Sequence, residues 1–186
     1  MSMTQRLYKS GRFEIGSKEI QMLEGIRTRR SVRSFTSDEV DDNTIDLIIE
    51  MGTWAPSGLN NQPWKFVVIR NQHLRDEIST QTKYSSIIQK APVCIAVFLD
   101  NSQSYDRVKD LQACGACIQN MLLALHNLGL GGVWLGEILK NREPVEKILE
   151  VPETCELMAI IALGHTEEKK KEERRKPLEE VILARK

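Results

Sequence analysis

Two stretches of the chain concentrate side chains able to act on a ligand. Arg29-Arg30-Ser31-Val32-Arg33 sets three guanidinium forks and a hydroxyl within five residues, and Arg27 makes it four arginines in seven residues without an acid. Such donors give charge-assisted hydrogen bonds, each worth about 1.5–3 kcal/mol, to a phosphate or an electron-rich ring oxygen. That suits an anionic cofactor. The same cluster also reads as a solvated basic cap that complements the C-terminal end of a preceding helix. One helix later comes Ala55-Pro56-Ser57-Gly58-Leu59-Asn60-Asn61-Gln62-Pro63-Trp64, whose turn formers require a loop.

Other reactive groups give weaker signals. Cys114-Gly115-Ala116-Cys117 has the spacing of a dithiol redox centre or of half a metal site, but no second ligand pair accompanies it. Its helical phase with Met121 and Leu125 makes both cysteines small hydrophobes of a core helix. His73, His126 and His165 are scattered, with no HExxH, no GxSxG and no GxxxxGK[ST], and Gly129-x-Gly131 lacks a third glycine because Trp134 stands there. No metal site and no catalytic side chain is expected. His126 reads as a satisfied helix histidine, and Trp54, Trp64 and Trp134 as packing residues or as the lining of a pocket.

These groups need elements to position them. Ser17 starts a helix with Ile20, Leu23 and Ile26 at three-residue spacing. Asp41 or Asp42 caps a second helix, with Ile45, Ile48, Ile49 and Gly52 on one face, that ends before Pro56. Strands are expected at Trp64–Ile69, Val93–Leu99, Gly132–Leu135 and Leu157–Leu163, where β-branched and aromatic residues fill short runs between turn formers. The longest helix is expected over Tyr105–Leu128, its apolar face formed by Leu111, Cys114, Ile118, Met121, Leu122 and Leu125 and closed by Gly129. A short helix covers Pro144–Leu149. Gln72–Lys90 reads as a short polar segment. After Gly164 the composition turns charged: Glu167–Lys186 holds eight basic and six acidic residues, Lys169-Lys170-Lys171 reads as solvated surface, and Pro177–Ile182 is the part suited to docking.

Composition bounds the rest. The 186 residues carry 26 basic and 26 acidic side chains, and 41% are hydrophobic. One domain of this length buries about 70% of the surface that its unfolded chain exposes. A net charge of zero argues against nucleic acid or an anionic membrane as the main partner. The longest apolar run, Ala91–Leu99, is about half of the ~20 residues that a bilayer span needs. The N-terminal residues lack a secretory pattern, and the four cysteines (Cys94, Cys114, Cys117, Cys155) show no disulfide framework, so a reducing cytoplasm is expected.

RRSVRSF, then APSGLNNQPWKF, then ACGACIQNMLLALHNLGLGGVWLG, then RKPLEEVI, in that order and at these spacings, resemble the nitroreductase family of FMN-dependent oxidoreductases over roughly Ile20–Ile182. The resemblance implies an α+β fold, with a mixed, mainly antiparallel sheet of four to five strands flanked by helices. Residues 1–186 would form a single domain, with 1–16 and 165–186 as terminal extensions, the latter docking on a partner subunit. It implies a homodimer with two shared FMN sites, NADH or NADPH as donor, and nitroaromatics, quinones or similar small organic acceptors reduced by a ping-pong route. Its motif positions put Arg29 and Ser31 at the FMN phosphate and ribityl chain and Arg33 near the pyrimidine edge of the ring, with Arg30 counted among the cofactor-binding residues beside them. Pro56, Ser57, Gly58 and Asn60 reach the flavin of the partner, and the backbone of Leu135-Gly136 faces the reactive ring nitrogen. Arg174 and Arg175 match a late basic element at the phosphate, with Glu173 where many relatives carry a base. A flavin that carries the electrons itself makes the lack of catalytic side chains expected. The alternatives are a reductive dehalogenase or flavin-fragmenting enzyme of the same fold, an FMN-binding or storage protein, and a CxxC thiol redox protein.

Overall fold

Strand β2, Val93–Asp100, is buried at all eight positions, so both of its faces need cover. That requirement organises the computed structural model, which describes residues 17–168 and 174–186. Residues 1–16, Lys169-Lys170-Lys171 and Glu173 lie outside the described part. β1 (Trp64–Ile69), β3 (Gly131–Leu135) and β4 (Cys155–Gly164) join β2 in one sheet of order β1-β2-β4-β3, with every pairing antiparallel. A bulge between Val97 and Phe98 shifts the β2–β4 register.

The side chains of β2 alternate between two cores. Val93, Ile95 and Val97 pack with Ile45 and Ile48 of α2 (Asp42–Thr53) and with Cys117, Ile118, Met121 and Leu125 of α5 (Arg107–Asn127). Cys94, Ala96 and Phe98 pack on the opposite face against α3 (Gln72–Ser79), α4 (Ser85–Lys90) and α6 (Arg142–Ile148), through Ile78, Ile88 and Val145. The period-2 geometry of a strand produces this division. Two further helices, α1 (Ser17–Thr28) and α7 (Leu178–Val181), and 3₁₀ turns at Gly58–Asn60 and Glu137–Asn141 complete the described elements.

The caps have local causes. Asp41 accepts a hydrogen bond from the Thr44 amide at 3.0 Å and starts α2. Asp106 accepts from Lys109 N at 3.1 Å and starts α5, two residues later than the expected Tyr105. Gly129 follows α5 at φ 76°, a left-handed position that costs glycine no steric penalty.

Three sequence expectations need correction. Leu111, assigned to the core face of α5, is 38% exposed, and Asp110 takes the inward place because 110, 114, 117, 118, 121 and 125 share the helical phase. Gln72–Lys90 forms two helices that bury Ile78, Ile87 and Ile88. In α1, Leu23 and Ile26 stay exposed, so its apolar stripe does not serve this chain's core.

Cys114 and Cys117 are buried, free thiols on α5, as the helical phase predicts. The close approach of α2 to α5 requires Gly52: a Cβ there would stand 2.6 Å from Met121 Cγ and 3.1 Å from Cys117 Sγ. Gly52→Val is therefore expected to lower stability by about 1–3 kcal/mol through overpacking. A lower urea midpoint with an unchanged m-value checks this.

Candidate functional site

The arginine-rich segment leaves α1 in extended form and is pinned at the sheet's β3 edge. Val32 N donates to Gly132 O at 3.0 Å, and Thr36 N to His165 O at 2.9 Å. Gly131 permits this approach, since a Cβ there would lie 2.6 Å from Val32 Cγ1. Glu168 fastens the other side by accepting from Arg33 N at 2.9 Å and Ser34 N at 3.2 Å. Val32 is buried, so its neighbours in the alternation, Ser31 and Arg33, point elsewhere: Ser31 is half-buried and Arg33 exposed.

The two roles read from the cluster divide between its members. Arg30 Nη1 donates to the carbonyls of Arg27 and Arg29, at 2.6 and 2.8 Å, and so caps the C-terminal end of α1. Arg33 Nη1 reaches Ser31 O at 3.4 Å, a weaker bond that leaves most of its donor fork available. Arg174 and Arg175 are exposed, with Arg175 Nη1 donating to Arg174 O at 3.2 Å.

The loop after α2 is held by a group that sequence reasoning missed. Asp110 is fully buried in the first turn of α5, and its carboxylate accepts from Asn61 Nδ2 at 2.8 Å, Ser104 Oγ at 2.6 Å, Tyr105 N at 3.1 Å and Asp106 N at 3.2 Å. Burial works to raise its pKa, and the donated bonds, led by those from Ser104 and Asn61, outweigh it, so the carboxyl stays below its ordinary 3.8. The signal that could have found Asp110 was an acid in phase with an otherwise apolar helix face.

Around Asn61 the backbone is contorted. Leu59, Asn60 and Gln62 all have positive φ, at 53°, 55° and 47°. Gln62 N donates to Ser57 Oγ at 3.0 Å, and Gly58 lies against Tyr105, whose hydroxyl a Cβ would meet at 2.0 Å. Conformations of this kind persist where the surroundings over-determine them. Leu59 consequently projects outward at 86% exposure, beside a 75% exposed Trp54 in the same connection.

The third predicted element, Leu135-Gly136, ends β3. Glu137 fastens the turn to the α3–α4 connection: it accepts from Lys140 Nζ at 2.8 Å and from Thr82 Oγ1 at 2.7 Å, bonds that hold its carboxyl down at about 2. Trp134 on the preceding residue is 42% exposed and stands over Gly115 of α5.

These parts do not all meet within one chain. Thr28 Oγ1 lies 2.8 Å from His126 Nε2, so the basic segment leaves from the last turn of α5, whereas the Pro56–Asn61 loop is bonded at Asp110. From 110 to 126 is sixteen residues of helix, about 24 Å. Arg29, Ser31 and Arg33 therefore lie near one end of this helix, and Pro56, Ser57, Gly58 and Asn60 near the other. Burial pushes the Cys114 and Cys117 thiols up to about 12, which removes the thiolate that dithiol chemistry needs.

Comparison with known proteins gives a consistent picture. The model of the nitroreductase family matches residues 26–83 and 77–165. The "Putative NADH dehydrogenase/NAD(P)H nitroreductase" of Methanothermobacter thermautotrophicus is 36% identical over 152 residues, 81% of this chain and 80% of that protein. The NADPH-flavin oxidoreductase of Vibrio harveyi is 26% identical over 172 residues, 86% of this chain and 72% of that protein. Among solved structures, a "putative nitroreductase in complex with FMN" from Desulfovibrio desulfuricans superposes with a TM-score of 0.84 at 44% identity, over 89% of this chain and 96% of that one.

The loop anchor makes a pH-dependent prediction. Because the folded pKa of Asp110 lies below 3.8, its stabilisation is fully present above about pH 4 and is lost as pH falls through the folded value. Asp110→Asn is expected to cost about 2–4 kcal/mol at pH 7, the loss of charged acceptors for buried donors, and to flatten the fall in stability below pH 4. Urea midpoints measured from pH 3 to 7 check both effects.

Proposed function

The chain belongs to the nitroreductase family, and from that membership we propose that it is an FMN-dependent oxidoreductase. In this reading it takes reducing equivalents from NADH or NADPH and delivers them to nitroaromatics, quinones or similar small organic acceptors. The observation that carries the proposal is the basic segment: Arg33 exposed and Ser31 half-buried, on a backbone fixed by Val32, Glu168 and β3. Guanidinium forks and a hydroxyl fit a phosphate and a ribityl chain as donors. Bound FMN would supply the two-electron chemistry, and the protein needs to bind it, orient it and tune it.

Arg29 and Ser31 hold the phosphate end, while Arg30 secures the end of α1 beneath them. Arg33 brings a cation to the pyrimidine edge, where it favours the electron-rich state. The Leu135-Gly136 turn, steadied by Glu137, presents backbone without a side chain at the reactive face. Donor and acceptor would take turns at the one open face of a bound flavin, which is the arrangement a ping-pong route requires.

The partner that completes each site is a second copy of this chain. Met22, Leu47, Met51, Trp54, Leu123 and Leu128 line an apolar groove of about 440 Å³ formed by α1, α2 and α5. Met22 and Trp54 are 66% and 75% exposed, too much contiguous apolar surface for a face meant for water. A two-fold axis across this groove would bring the Pro56–Asn60 loop of one protomer to the arginine segment of the other. Residues 165–186, with Leu178, Val181 and Leu183 exposed, are proposed to dock on that partner. Four free, buried cysteines suit a reducing cytoplasm.

Purified protein is expected to be yellow and to release FMN, not FAD, on denaturation. Anaerobic titration with each nicotinamide then reads out the donor. Colourless protein that cannot be reconstituted with FMN would end this reading, and FMN that stays oxidised with both donors would assign a storage role instead. Shared sites have a separate test. Arg29→Ala and Asn60→Ala homodimers are each expected to lose most FMN affinity, and mixed subunits to regain one intact site of two. Absence of complementation would confine each site to one chain.

A further inference from the structure

A second cationic site lies outside the two segments described above. Arg75, on α3, is 6% exposed, facing inward with Ile78 and Ser79. Its guanidinium bonds to neutral oxygens: Nη1 donates to Arg70 O, and Nη2 to Gln72 Oε1 at 2.5 Å. Nε is buried with no hydrogen-bond partner, and among the described residues no carboxylate pairs with the group. An arginine this deep ordinarily carries a counter-charge, since burying a charge without one is costly.

The same residue lines a cavity of about 380 Å³, within the range of small-molecule sites. Around it stand Ser37, Arg70, Gln72 and Lys90, with Glu39 as the one acid of the lining. Arg70 is already neutralised by Asp42, at 2.7 Å. Two cations, Arg75 and Lys90, therefore face one carboxylate, and Ser37 adds a neutral hydrogen-bond donor, whereas Gln72 Nε2 is committed to Asp76 Oδ1 at 2.8 Å and Gln89 O at 3.3 Å. The donors arrive from three segments: the chain after the arginine cluster (Ser37), α3 (Arg75) and the end of α4 (Lys90). A tetrahedral oxyanion can accept from all of these directions at once, whereas a planar carboxylate presents two oxygens.

We propose that this cavity between α3, α4 and the Ser37–Glu39 segment binds a phosphate group, as the free ion or as a phosphate monoester, with Arg75 as its buried counter-charge. The site is independent of the FMN reading, because its residues share none with the arginine segment or the Pro56–Asn60 loop.

The test titrates inorganic phosphate, and separately adenosine 5′-monophosphate, into protein held in excess FMN, with sodium chloride at matched ionic strength as the blank and calorimetry as the readout. Saturable binding at one site per chain is expected. It should be abolished in Arg75→Met, weakened about tenfold in Lys90→Gln by loss of one charge-assisted contact, and unchanged in Lys109→Ala, a surface cation elsewhere. If Arg75→Met does not fold by circular dichroism, Lys90→Gln and Ser37→Ala carry the test, since both side chains lie at the surface. Tighter binding of the nucleotide assigns the cavity to a monoester, and equal binding assigns it to the ion. Heat no greater than that of chloride, binding that FMN displaces, or binding indifferent to Arg75, Lys90 and Ser37 would overturn the proposal.

Discussion

A helix of 21 residues spans about 32 Å, and the rod formed by α5 sets the distances on which the candidate site depends. At one end its first turn buries Asp110 and so fixes the loop that follows α2; at the other, His126 meets Thr28 and fixes where the arginine segment begins. Packing on β2 and β4 through Ile118, Met121 and Leu125 keeps the rod from pivoting. The arginine segment and the Pro56–Asn61 loop are thus held at a fixed separation within the chain. In the proposed dimer, assembly and cofactor binding would be a single equilibrium, since a ligand that touches both segments stabilises the state in which they meet.

Polar groups inside the molecule follow one rule. Asp110 stays ionised because four donors surround it, and Asp100 because the Ser102 hydroxyl and amide, at 2.6 and 3.0 Å, hold its pKa below the ordinary value. Both carboxylates sit at the same end of the molecule, beside the start of α5 and the close of β2, where loops must be given fixed shapes. Buried acids here shape loops, while bases such as Arg107, Arg142 and Lys140 pair with acids at the surface. Arg75 departs from that pattern.

Much of this was legible in the sequence. The four strands matched to within a residue or two because β2 and β4 are buried on both faces and so read as unbroken apolar runs, and because Trp64–Ile69 and Gly131–Leu135 are bracketed by Pro, Gly and Asn. The cap Asp41 and the end signal Gly129 were legible for the same local reasons. What failed was whatever depended on a distant partner. Asp110 carries no signal in the sequence beyond its helical phase, because Asn61 and Ser104 come to it only in the fold. Gln72–Lys90 hides two helices of eight and six residues, too short for periodicity to declare itself. A basic cap at the end of α1 was legible, but which arginine supplies it depends on where the chain turns extended. The arginine segment and the Pro56–Asn60 loop were recognised through motif order, yet their separation is a property of helix length that no motif contains.

The strand order also has a consequence for how the chain is made. β4, the last strand to leave the ribosome, is inserted between β2 and β3. Until residue 164 has emerged, β3 has no neighbour to pair with and β2 exposes an unpaired edge, a template for joining another nascent chain. The first unit able to close is β1 with β2, α3 and α4, and α5 can then pack on β2 and α2, whereas β3 must wait for β4. The gap that β4 fills is thus the place where the incomplete chain is most open to edge pairing.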